Sequence, residues 1–268
     1  MAIKALVAPL SADEPCGPDN IGAQEAEAFA DYFEATSRLP RQYFDLARGA
    51  VFSLRGTERK DLTDRIDRQL ARSRDLRLFA LRAKAAALAL DLADFAETLD
   101  TIAHWLEAHP AALHPRVDDG SEARRDALAE LDSMPHVVMP LEMIPLAEAP
   151  GGGTATLRAY AVGRGERPPR AGEDKGDPGA VTALLSRADV APAVEATLKR
   201  LETVQQALGR ITVACMTPDG GGFNPPLDRL AKRVEEMAAL VRLARRDLDG
   251  TAAPDPAAPV TAAQAAGA

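Results

Sequence analysis

Three features of the 268-residue sequence predict an all-α fold, a multi-helix bundle joined by Pro/Gly-rich loops. Hydrophobic residues make up 46% of the chain but aromatics only 4%, so the core must be built from Ala and Leu, which lead the helix propensity order. β-branched residues are sparse, which disfavours a sandwich or barrel. Apolar residues recur at three- and four-residue steps over long stretches, with prolines and glycines gathered between them.

The helices can be placed in order. Residues 9–22, with three prolines and two glycines, form a lead or loop. Ala26, Phe29, Ala30 and Phe33 place a helix within 23–39 that Pro40 ends. Tyr43, Phe44, Leu46, Val51, Phe52 and Leu54 cluster around Gly49 and Gly56 as a loop under the core. The stretch 61–115 organises the rest: Leu62, Ile66 and Leu70 form one helix, Arg72 to Arg77 a polar corner, and Leu78 and Leu81 open a second helix. Leu92, Phe95, Leu99, Ile102, Ala103 and Leu106 continue an apolar face opposite Asp91, Asp94, Glu97 and Asp100. Trp105 joins that face, and burying its ring is worth about 2–3 kcal/mol, so it reads as a packing anchor.

Beyond Pro110 and Pro115, Ser121 caps a helix with Ala127, Leu128 and Leu131 inward and the acids and arginines outward. Pro135, Pro140 and Pro145 predict an extended segment packed on the core. Thr154 caps a short helix through Leu157, Tyr160 and Val162, and Gly163 to Gly176 reads as a linker. Asp177-Pro178 opens the next helix with a cap and a first-turn proline. A longer helix runs from Ala191 to about Thr212, Pro218–Pro226 returns the chain, and a last helix carries Leu227 to Leu248. Arg242, Arg245 and Arg246 lie near its C-terminus, where the macrodipole favours cations, and are candidates for partner binding. The implied organisation is a unit over 1–165, a linker over 166–176, a helical hairpin or extension over 177–249, and a disordered Ala/Pro-rich tail over 250–268.

The net charge of −8 opposes binding to nucleic acid. Cys16 and Cys215 fit no disulfide or thiolate-metal spacing, and no apolar run is long enough to span a membrane, so a cytoplasmic protein is expected. Chemistry is hard to find. His104, His109 and His114 follow at five-residue steps, about 140° apart on a helix, so they cannot share a metal as an i, i+4 pair does. The glycine triplets at 151 and 220 lack the Gly-Lys-Ser/Thr of a phosphate loop, and Asp118-Asp119 has no accompanying set of oxygen ligands. Ser73, between two arginines, has no evident base, and Asp75 reads as a cap for the following helix. No cofactor, metal or catalytic set is expected.

Several motifs nevertheless form a recognisable order. Pro15-Cys16-Gly17-Pro18-Asp19-Asn20 near the start, then Ser73-Arg74-Asp75-Leu76-Arg77, resemble the opening and the S-[KR]-D-L-R signature of the ImpA-related N-terminal domain family. Trp105, His109-Pro110 or His114-Pro115, Asp118, and Arg124 or Arg125 are similar to that family's Trp, His-Pro, Asp and Arg sequence. The family occurs in TssA-like proteins of the bacterial type VI secretion system. The resemblance implies a non-enzymatic assembly component that binds baseplate, sheath or tube subunits and can form homo-oligomers, in a short form without the family's C-terminal oligomerising region. A helical adaptor outside any secretion machine is the competing reading.

Overall fold

The computed structural model describes residues 3–45, 47 and 49–246. The expected tail over 250–268, Leu248 and Leu46 lie outside the described residues. Helices dominate, joined by turns and by two short antiparallel pairings, Phe44–Asp45 (β1) with Ala50–Val51 (β2) and Ala147–Glu148 (β3) with Thr154–Ala155 (β4). The loop expected over 41–57 thus contains a small hairpin, under which Tyr43 and Leu54 are buried.

Helix α1, Ala26–Ser37, falls within the predicted stretch 23–39, with its phenylalanines turned to solvent. Phe29 is 42% and Phe33 67% exposed, and Ala26 and Ala30 are exposed as well. The reason is electrostatic. Asp31 pairs with Arg65 and accepts from Gln69 at 2.9 Å, which turns Ala28, Asp31 and Ala35 toward the neighbouring helix and the phenylalanines to solvent.

The organising stretch holds three helices: α2, Gly56–Leu70; α3, Leu76–Leu88; and α4, Leu92–Ala108. The run expected to continue past Leu81 breaks at Leu90, whose φ of 58° is left-handed. Leu90 N–H donates to Ala87 O at 2.9 Å and Asp91 N–H to Ala86 O at 3.0 Å, a Schellman turn closed without the usual glycine. Asp91 then caps α4 by accepting from Asp94 N–H at 3.0 Å. Apart from Arg77, every residue of α3 is buried, because the helix lies among α2, α4 and the segment 121–141.

That segment differs from expectation twice. Ser121 is the first residue of α5, Ser121–Ala129, rather than its cap, and Arg124 points inward. The proline-spaced run is a π-helical turn over Met134–Val138 leading into α6, Met139–Leu141, not an extended segment. Pro135 and Pro140 fall at the first two positions of their turns, where a missing N–H costs nothing. It does pack on the core, with Val137, Leu141 and Ile144 buried.

Helix α7, Leu157–Gly163, is capped by Thr156, not Thr154, and Thr154 pairs in β4. Asp177 caps α8, Pro178–Leu185, and Pro178 takes its first position. Helix α9, Ala191–Met216, lies along α4, and α10, Asp228–Arg246, packs on α9. One apolar core therefore contains Leu99 and Ile102 of α4 together with Leu201, Val204 and Ile211 of α9 and Val234 and Val241 of α10.

Candidate functional site

The motif residues of the first half meet in a buried polar knot. Asp75, fully buried, caps α3 by accepting from Arg77 N–H at 2.8 Å. The Arg77 guanidinium bends back to Asp75, at 2.6 Å, and reaches Asp19 of the N-terminal loop at 2.5 Å. Burial alone would lower its affinity for the proton, but the two carboxylates prevail and hold it above the ordinary value. Arg74 donates to Leu70 O and, at 3.0 Å, to Ala8 O, with its guanidinium 5.5 Å from the Trp105 ring centre. Trp105 Nε1 donates to Leu6 O at 2.8 Å, so the ring anchors the N-terminal turn as well as α4.

His114 completes the knot from the loop after α4. Its Nε2 donates to Gly17 O at 2.8 Å, while its carbonyl accepts from Leu76 N–H at 2.8 Å. Cys16 O accepts from Arg74 N–H at 2.7 Å, which draws the N-terminal loop against the polar corner. Gly17 has φ +66°, and a Cβ there would sit 2.6 Å from Arg72 O, so only glycine fits.

Arg124 is 0% exposed and forks into backbone carbonyls alone. It donates to Pro115 O at 3.0 Å, Pro110 O at 2.9 Å and Leu113 O at 2.7 Å, and reaches Asp219 O and Gly220 O at 3.4 Å. The loops at 110–115 and 219–220, the second 95 residues beyond Arg124, are thereby held by one side chain. Gly220 has its own constraint, since an added Cβ would fall 1.9 Å from Ala214 O. Sequence reasoning set Arg124 outward because arginines among acids on a short helix look solvated. The glycines at 220–222 and the prolines at 110 and 115 were the available signal of carbonyl-rich loops needing a donor.

The remaining motif residues are placed as follows. Pro15 O accepts from Leu10 N–H at 2.9 Å, Leu76 is buried, and His109 ends α4 with its N–H on Trp105 O at 3.0 Å. Pro110 supplies a carbonyl to Arg124. Asp118 is exposed and apart from the knot, and the Asp119 side chain lies outside the described residues. Ser73 is buried, and burial pushes the Cys16 thiol up to about 12, so neither is presented as a nucleophile. His104 is half-buried, edge-on to Trp105 at 6.0 Å. Among the described residues no group of three or more His, Cys, Asp or Glu side chains is placed to hold a metal. The glycines 151–153 form the turn between β3 and β4.

A second buried cluster escaped sequence reasoning. Glu142, after α6, lies 2.8 Å from Arg233 of α10 and 3.2 Å from Arg167. Arg167 and Arg233 both reach Glu236, at 3.2 and 2.8 Å. Arg158 of α7 pairs with Glu173 at 2.6 Å and donates to Pro168 O at 2.9 Å. Burial pushes the Glu142 carboxyl above its ordinary value despite the arginines, whereas the bond from Arg158 holds Glu173 below its own. These pairings span up to 91 positions of sequence (142 to 233) and leave no periodic trace.

The cationic end of α10 faces acids of α9: Arg242 lies 3.3 Å from Glu202 and Arg245 2.8 Å from Glu195. The side chain of Arg246 is outside the described residues. No helix among the described residues is long and apolar enough to cross a membrane.

Residues 7–133 match the family model described as ImpA, N-terminal, type VI secretion system. No curated protein matches the chain. Among solved structures the fold is similar to the N-terminal domain, including the ImpA_N region, of the TssA component of the type VI secretion system from Burkholderia cenocepacia. The TM-score is 0.58 at 16% identity, over 92% of this chain and 94% of that one. The shared architecture therefore runs past residue 133 and takes in the later helices.

Proposed function

We infer that this chain, whose residues 7–133 belong to the ImpA N-terminal, type VI secretion system family, is an assembly component of such a system and works by binding. The observation that carries the reading is that most of the motif residues of that segment, Asp118 apart, converge at the polar corner and the loop after α4. Asp19, Asp75, Arg77, His114 and Arg124 bond to one another and to backbone groups, which commits them to the fold. A scaffold needs that rigidity, since a surface offered to a partner binds best when already ordered. The partners in this proposal are baseplate, sheath or tube subunits, with Arg242, Arg245 and Arg246 contributing and a homo-oligomer as the working form.

The test is capture of the tagged protein from its native cells, with mass spectrometry of what accompanies it and light scattering for its mass in solution. Enrichment of sheath, tube or baseplate subunits is the expected result. Enrichment of a soluble kinase or ATPase in their absence would overturn the secretion reading in favour of a free-standing adaptor. Charge reversal at Arg242, Arg245 and Arg246 that left capture untouched would remove those residues from the interface.

A further inference from the structure

An apolar groove of about 600 Å³ runs between the second half of α9 and the first half of α10. Its floor is Leu208, Pro225, Leu227 and Ala231, and Val213, 68% exposed, stands along one wall. Met216, three residues on from Val213 and 62% exposed, continues the apolar wall beyond it. Gly209 sits in the same wall with nothing within 4 Å of where its Cβ would be, so the α9 backbone itself is open to close approach. A glycine exposed in the middle of a 26-residue helix costs about 1 kcal/mol relative to alanine, and among the described residues no contact uses the space it leaves.

The charged side chains that line the groove have one sign. Asp228 and Glu235 of α10 line it, and among the described residues no Lys or Arg does; Lys232, one position after Ala231, is not part of the lining. Arg210 of α9 is turned away onto Glu107 and Asp100 of α4, at 2.5 and 2.6 Å. Glu235 receives a hydrogen bond from Gln205 across the groove and lies 3.8 Å from Arg242, while Asp228 is exposed at the first turn of α10.

We propose that the α9–α10 groove docks an amphipathic helix of a partner protein, one whose apolar row is flanked by Lys or Arg. Two packed helices with a glycine gap offer a third helix a seat at short axial distance, and apolar side chains at i, i+3 or i+4 and i+7 of the incoming helix fill the floor. The acids on the wall select cations at its edge, setting orientation and on-rate. The proposal does not depend on which assembly the chain serves.

The probe is a synthetic helix of about 18 residues, five turns long, with a leucine face and lysine flanks, compared with the same helix carrying glutamate flanks. Titration calorimetry on the full chain is expected to show the lysine helix binding at least about tenfold tighter, with the gap shrinking as salt rises. The decisive variant is Gly209→Leu, which leaves every charge in place and adds a side chain at an exposed helical position. It is expected to fold, by circular dichroism and melting temperature, and to weaken the lysine helix about tenfold. Val213→Asp serves as a second, independent block of the wall. Affinity changed less than about twofold by both variants would show only diffuse attraction to an acidic protein and overturn the proposal. So would equal binding of both probes, or no binding. A dimer in light scattering that Gly209→Leu dissolves would assign the groove to a second copy of the chain instead.

Discussion

The Arg124 knot and the Glu142 cluster both bury guanidinium groups, but they solve the problem differently. Arg124 has no carboxylate partner among the described residues; its donors go to carbonyls of the loops at 110–115 and 219–220. Arg158, Arg167 and Arg233 instead share Glu142, Glu173 and Glu236. A carbonyl cannot be protonated or rearranged away, so the first arrangement fixes loop geometry at any pH. Carboxylates must be stripped of water before they can pair, so the second sits close to break-even. The difference separates the part of the molecule that defines backbone paths from the part that clips helices together.

Removing the Arg124 fork is therefore expected to have the largest effect. Arg124→Met preserves much of the volume but strands several buried carbonyls, for an expected loss of about 3–5 kcal/mol in denaturant unfolding. Arg124→Lys should recover little of it, because a single ammonium cannot reach three carbonyls of one loop and two of another. If Arg124→Met lost less than about 1 kcal/mol, the contrast between the two clusters would collapse.

Asp75→Ala comes next, at about 2–3 kcal/mol, since it removes the α3 cap and leaves Arg77 with Asp19 alone. Gly17→Ala is expected to cost about 2 kcal/mol, combining left-handed strain with the 2.6 Å approach to Arg72 O. Both are read from melting or urea curves of the full chain. A neutral result at Gly17 would mean that the N-terminal loop can leave the polar corner without cost.

These three positions also mark what could be read from sequence. Asp75 before an apolar helical run is a local signal, as are Asp177-Pro178 and the tryptophan on an apolar face, and the structure places all three as their neighbours imply. Arg124 was misread because its partners are distant, in loops 9–14 and 95–96 residues away, and the orientation of α1 was not legible because Asp31 answers to Arg65, 34 away. Proline spacing misled differently. Pro135 and Pro140 occupy the starts of short helical turns, where their fixed φ suits a helix as well as an extended chain. Periodicity reports which face of a helix is apolar, but in α1 a half-buried ion pair goes with two exposed phenylalanines, and no periodic count contains that term.

Glu142→Gln is expected to have the smallest effect and to test the comparison most sharply. Burial raises the Glu142 carboxyl above its ordinary value, so the folded chain takes up a proton there more readily than the unfolded one. Its share of stability is fully present below pH 4.5, the ordinary value, and is lost as pH rises through the folded value. A neutral isostere escapes that loss. At pH 7 Glu142→Gln should therefore lie within about 1 kcal/mol of the parent, whereas at pH 4 the parent should gain relative to the variant. Glu173 runs the opposite way, held low by Arg158: its contribution is present above pH 4.5 and disappears as pH falls through its folded value. Urea midpoints of the parent, Glu142→Gln and Glu173→Gln between pH 4 and pH 7 separate the two signs. A loss of about 3 kcal/mol or more at pH 7 in Glu142→Gln would make the pairing with Arg233 and Arg167 a net stabiliser. The second cluster would then fix the helices as firmly as Arg124 fixes its loops.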